Sequence, residues 1–161
     1  MYKLNLYIYF IFDNSKFKEG ITMVSIIAGE KGKGKTKILL EKANEAISKA
    51  NGSVIYLDKS SKHMYELNNK IRLVNVSEFP IMSADGFVGF LAGLISSDHD
   101  IEAIFLDSFL KLAVLEGSDI TSTIDRIETL GEKYGITFVL SVSMDASALP
   151  ENAKKNVTVE L

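Results

Sequence analysis

From Met23 onward the chain alternates short apolar runs with longer segments whose apolar residues recur every three or four positions. Val24 to Ala28 is nearly all apolar and stops at Gly29, the pattern of a strand buried on both faces. Ile38, Leu39, Ala43, Ala46, Ile47 and Ala50 then fall on one helical stripe, which predicts a helix over Lys35–Ala50. Asn51-Gly52 ends it, with Gly52 suited to the left-handed position that closes helices. Val54–Leu57 reads as a second strand closed by Asp58. Ser60 or Ser61 is placed to cap a short helix through Asn68, with a strand over Ile71–Val76 behind it. Ser83 caps a helix through Ser97, and Ala103–Leu106 is a strand running into Asp107. A helix over Ser118–Tyr134, a strand over Ile136–Val142 and a last strand over Asn156–Glu160 complete the series.

Alternating strands and helices of this kind predict an α/β fold: a three-layer sandwich with a mainly parallel sheet and helices on both faces. A chain of 161 residues fits one such domain. The run Phe87–Ile95 is apolar almost all round, which suits packing on the sheet or a subunit contact.

Before Met23 the pattern breaks. Tyr2–Phe12 is nearly all apolar, too short to cross a bilayer and without the cleavage site of a secretory signal. Lys18-Glu19-Gly20 can be encoded by a purine-rich ribosome-binding sequence just upstream of the Met23 codon. Residues 1–22 are therefore expected to be a translated leader or an extra edge segment, and residues 23–161 the single folded domain.

Composition narrows the partners. The net charge of −3 gives no general attraction to nucleic acid or anionic membrane. Cysteine is absent, which excludes disulfides and thiolate chemistry. Arg72 and Arg126 are the only arginines, each readable as a surface ion-pair residue or as a transition-state finger. His63 and His99 lack an acidic partner at metal-ligand spacing, so no histidine-held metal is expected.

The chemistry concentrates at Gly29-Glu30-Lys31-Gly32-Lys33-Gly34-Lys35-Thr36, which fits G-x-x-x-x-G-K-[ST] without a mismatch. The glycines allow backbone amides to converge on an anion, and the following helix adds its positive end. Lys35 is expected to reach the β- and γ-phosphates, as a binding and catalytic residue, and the Thr36 hydroxyl to hold Mg²⁺. Lys31, Lys33 and Lys37 are either further phosphate contacts or a solvated helix entrance. Asp107, at the end of an apolar strand, fits the carboxylate that holds Mg²⁺ or its water. Ser141-Val142-Ser143 ends the next strand, either as a γ-phosphate sensor or as an ordinary polar terminus.

With these residues the chain resembles a minimal RecA-like or KaiC-like P-loop ATPase domain. It is also similar to small stand-alone bacterial ATP-binding proteins sometimes labelled twitching-motility-like. The resemblance implies a strand order in which the Walker A and Walker B strands are not adjacent, with Ile136–Val142 between them. It also puts the water-activating carboxylate after the second strand, where Asp58 is the only candidate and a turn or capping role is the alternative.

Departures are equally plain. Glu30 stands where deviant Walker loops carry lysine, Ser108 where many ATPases carry glutamate, and no guanine-reading motif follows Val142. The histidine and aspartate boxes of pilus-retraction ATPases and the DNA-binding loops of recombinases are not recognisable. The expected function is thus a cytoplasmic, Mg²⁺-dependent ATP-binding protein, with adenine favoured over guanine and weak or partner-stimulated hydrolysis. A nucleotide-gated switch without turnover is the alternative, and a small-molecule kinase the third reading. A homo-oligomer or a protein partner stays open.

Overall fold

The computed structural model describes residues 22–161. The expected leader lies outside the described residues except at Thr22, whose Oγ1 is 2.8 Å from Asn156 Oδ1. Next to it, Met23 N–H donates to Glu128 Oε1 at 2.8 Å.

Six strands form one sheet: β1 (Val24–Ala28), β2 (Ser53–Asp58), β3 (Arg72–Asn75), β4 (Ile101–Leu106), β5 (Thr137–Val142) and β6 (Val157–Glu160). Their spatial order is β3-β2-β4-β5-β1-β6, and every pairing is parallel. The helices are α1 (Lys35–Lys49), α2 (Ala84–Ser97), α3 (Phe109–Leu112), α4 (Thr121–Tyr134) and α5 (Glu151–Lys154). Among the described residues, no helix is long and apolar enough to cross a membrane.

Side chains alternate along each strand, so the sheet feeds two cores. On one face Leu39, Leu40, Ala43 and Ala46 of α1 pack on Ile27, Val54, Tyr56, Ala103, Phe105 and Val139. On the other, Phe87 and Leu91 of α2 and Ile124 and Ile127 of α4 pack on Ile26, Ile55, Leu57, Ile104, Phe138 and Leu140. Burial on both faces explains why these strands read as continuous apolar runs. The three-layer, mainly parallel α/β expectation holds, and β5 lies between β1 and β4 as the RecA-like order requires.

Several local expectations change. Residues 60–68 form successive turns, with Met64 N–H to Ser61 O at 3.1 Å and Glu66 N–H to His63 O at 3.0 Å, not a helix. Asn44 of α1 ties this segment down from the side: its Nδ2 donates to Glu66 O, and its Oδ1 accepts from Asn68 N–H. Helix α4 begins at Thr121, three residues late, because Asp119 Oδ1 takes the Thr121 amide at 3.0 Å and holds the preceding residues in a loop. Gly52 is not in the left-handed region; the helix closes at Ala50 in extended conformation. What requires glycine there is proximity, since a Cβ on Gly52 would lie 2.0 Å from the Asp100 carbonyl oxygen. Short helices α3 and α5 lack the length for a periodic signal.

Candidate nucleotide-binding site

The parallel sheet collects its carboxyl-terminal ends along one edge, and residues at corresponding positions point to the α1 face. Asp58 is two residues beyond Tyr56, Asp107 two beyond Phe105 and Ser141 two beyond Val139, so all three emerge on that face. The 29–36 loop rises beside them from β1.

Gly29 N–H bonds Val142 O at 3.3 Å, which anchors the start of the loop to β5. Gly32 and Gly34 take φ of 85° and 94°, a region where a side chain would be strained. Gly34 is the N-cap of α1, without a side-chain cap and with no acid in the first turn, so the leading amides and the helix dipole face the cleft. Lys35 is 7% exposed, and its Nζ arches back to donate to Glu30 O at 2.9 Å. Burial holds the Lys35 ammonium below the ordinary lysine range, partly opposed by the nearby Asp107.

Asp107 is 2% exposed and is held by three hydroxyls. Thr36 Oγ1 donates to Oδ1 at 3.1 Å, Ser141 Oγ to Oδ1 at 2.8 Å and Tyr56 OH to Oδ2 at 2.9 Å. Ser141 Oγ also accepts the Ser108 N–H at 2.8 Å. Ser108 itself adopts φ 55°, ψ 53°, a left-handed conformation that costs a non-glycine residue about 1–2 kcal/mol. Such strain is found where the surroundings over-determine a functional geometry. Burial, then the Asp107 charge and hydrogen bond, push the Tyr56 phenol well above its usual range. Tyr56 is therefore a fixed donor to Asp107.

Together these residues line a cleft of about 420 Å³. Its walls are Lys31, Gly32, Gly34, Lys35 and Thr36 from the loop, Asp107 and Ser108 from the β4 end, and Ser141 and Ser143 from the β5 end. Leu110, Lys111 and Glu116 close the remaining side. Lys33 and Lys37 are exposed and do not line it, while Glu30 contributes its carbonyl to Lys35.

Solved structures share this architecture. PCH-2 of C. elegans superimposes with a TM-score of 0.52 at 12% identity over 97% of this chain. The flagellar accessory protein FlaH of Methanocaldococcus jannaschii gives 0.53 at 15% identity over 80% of this chain. The chain spans 37% of the first protein and 63% of the second. No family model and no curated protein matches the sequence. At these identities the likeness is one of fold: a three-layer α/β sandwich whose parallel sheet has the RecA-like strand order.

The other sequence candidates divide. Asp58 stands beside Asp107 but does not line the cleft. Its Oδ1 takes the Lys59 N–H at 2.7 Å, while its Oδ2 is buried without a hydrogen-bond partner among the described residues. Burial, then Asp107, raises the Asp58 carboxyl above its usual range, opposed by the Lys59 amide, His63 and Lys62. Arg126 bonds Asp85 in an exposed pair between α4 and α2, and Arg72 is exposed on edge strand β3. His63 corrects the expectation of isolation: folding brings it to both Asp58 and Asp107.

Tyr56, Lys111 and Glu116 escaped the sequence reading, and His63 was set aside by it. Only Tyr56 left a signal, a phenol two residues before Asp58 on an otherwise aliphatic strand. His63, Lys111 and Glu116 reach the site through turns and a four-residue helix that carry no period.

Proposed function

We propose that the protein binds ATP with Mg²⁺ and hydrolyses it slowly or when stimulated by a partner. The observation that supports this most directly is the 3.1 Å bond from Thr36 Oγ1 to Asp107 Oδ1, which joins the loop to a strand end 71 positions away. The amides of residues 31–36 and the start of α1 would cradle the phosphates, with Lys35 swinging from Glu30 O to the β/γ oxygens. A hydroxyl and a carboxylate are the hard oxygen donors that Mg²⁺ prefers, so Thr36 and Asp107 fit it. When bound, Mg²⁺ neutralises charge on the phosphates. Lys31 and Lys111 on the cleft wall would add positive charge.

Adenine is favoured because no guanine-reading segment follows β5, and the cytoplasm is the compartment this reading implies. Slow turnover follows from the carboxylates: Ser108 succeeds Asp107, and Asp58 is off the cleft wall. The same observation favours the second reading, a switch that binds ATP without significant turnover. Having β5 between β1 and β4 argues against the kinase branch.

The deciding experiment measures ATP affinity and phosphate release on the same protein. ATP binding that needs Mg²⁺ and falls about 10- to 100-fold in Lys35→Ala is expected, as a lost charged hydrogen bond is worth about 1.5–3 kcal/mol. Binding indifferent to Lys35→Ala refutes the site. Binding with phosphate release no faster than in Lys35→Ala selects the switch.

A further inference from the structure

Beside the nucleotide cleft, Asp58, His63 and Asp107 each bring one ligand atom to within 4.8 Å of the others. Asp58 is 6% exposed, and its buried Oδ2 has no hydrogen-bond partner among the described residues. Leaving a buried charged oxygen unpaired costs about 1–3 kcal/mol or more. A second carboxylate alongside adds repulsion. A cation between the two relieves both.

His63 completes the donor set. Its Nδ1 lies 2.8 Å from Glu66 Oε1. An ionised carboxylate only accepts, so Nδ1 is the donor in this contact and Nε2 is the ring nitrogen left to offer a lone pair to a metal. A carboxylate behind an imidazole is the arrangement that orients histidine toward a metal. The nearby Lys59 and Lys62 are exposed.

We propose that Asp58, His63 and Asp107 form a binding site for one divalent transition-metal ion of the Mn²⁺, Co²⁺ or Zn²⁺ type, on the side of Asp107 away from Thr36. One imidazole with two carboxylates selects these ions over Mg²⁺, which takes oxygen donors and keeps its water. Metal–ligand bonds of about 2.0–2.2 Å set ligand atoms about 3–3.5 Å apart, so the three groups close by roughly 1 Å on binding. Asp58 and Asp107 sit at ends of paired strands, whereas His63 is on the 60–68 turns and supplies the movement.

The test is calorimetric titration of Zn²⁺, and separately Mn²⁺, into chelator-treated full chain without nucleotide. One ion per chain is expected, and His63→Ala should weaken it at least about tenfold while leaving Mg²⁺ affinity unchanged. Glu66→Gln should weaken it by about tenfold, and His99→Ala should change nothing. Asp58→Asn, with its fold checked by circular dichroism, should lose stoichiometric binding. No stoichiometric binding by the natural chain, or equal affinity in His63→Ala, overturns the proposal. Because nucleotide is absent throughout, the result is separate from the fate of the ATP reading.

Discussion

Tyr56 and Asp107 meet at 2.9 Å beneath the nucleotide cleft, a phenol donating to a carboxylate with both residues almost wholly out of solvent. Tyr56 also stacks on Phe105 at 6.4 Å between ring centroids, so the ring is held from two directions. Tyr56→Phe keeps the stacking and removes only the donor. It should destabilise the fold by about 2 kcal/mol, seen as a lower urea midpoint with unchanged m. Because Asp107 loses one of its three tethers, Mg²⁺-nucleotide affinity should fall too; unchanged stability and affinity together would mean that the bond does not form in solution.

Ser141→Ala cuts both ends of a two-bond chain, since one hydroxyl accepts from Ser108 N–H and donates to Asp107. The Ser108 amide is left unpaired while its residue is held in a strained conformation. A loss of about 1–3 kcal/mol in chemical denaturation is expected, with faster exchange of the Ser108 amide hydrogen. Exchange at the natural rate would contradict it.

Lys35→Met separates folding from binding. The buried ammonium is held below its ordinary pKa mainly by desolvation, so replacing it with an apolar chain should raise the stability of nucleotide-free protein by a few tenths to about 1 kcal/mol. Affinity for ATP should drop at the same time. A variant that loses both stability and affinity would point to a structural role for the lysine.

Gly131→Ala tests packing between α4 and the start of β1. A Cβ there would lie 2.6 Å from Met23 Cβ and 2.7 Å from the Ile136 carbonyl oxygen. Overpacking of about 1–3 kcal/mol is expected, read as a lower thermal midpoint; an unaltered midpoint would show that the contact relaxes freely.

Asp98 supplies a pH dependence. Hydrogen bonds from Ser53 and the Asp100 amide hold its carboxyl below the ordinary range, with smaller contributions from Arg72 and His99. A carboxyl depressed on folding adds stability that is present above its unfolded pKa and lost as pH falls through the lower folded value. Asp98→Asn should therefore cost about 0.5 kcal/mol at pH 7 and progressively less as the pH falls through the folded value, measured by urea denaturation at neutral and acid pH. An equal loss at both pH values would exclude a charge effect.

The candidate site was legible in the sequence where chemistry and period coincide. Gly29–Thr36 sits between a buried strand and an amphipathic helix, and Ala103–Leu106 carries Asp107, so both halves of the cleft were legible before folding joined them. Gly52 was assigned the right boundary for the wrong reason, because close approach to Asp100 leaves no trace in local sequence. His63 was set aside on spacing, yet its partners lie on two strands that only the sheet makes neighbours. Lys111 and Glu116 reach the cleft from a four-residue helix and a loop, segments too short for periodicity to describe.

Strand order also governs when the protein becomes competent. Among the described strands β1 pairs with β5 and β6, both made after β2, β3 and β4, which can pair among themselves first. On a translating ribosome β1, made before β2 to β5, is thus among the last of the described strands to find a neighbour, and the loss of chain entropy is deferred to that closing step. Until residues 137–142 have emerged, the loop above β1 has no Ser141 opposite it and no Val142 carbonyl to anchor Gly29. A nascent chain truncated before residue 137 would leave ATP unrecognised, so nucleotide protection against proteolysis should report synthesis past residue 142 as much as folding.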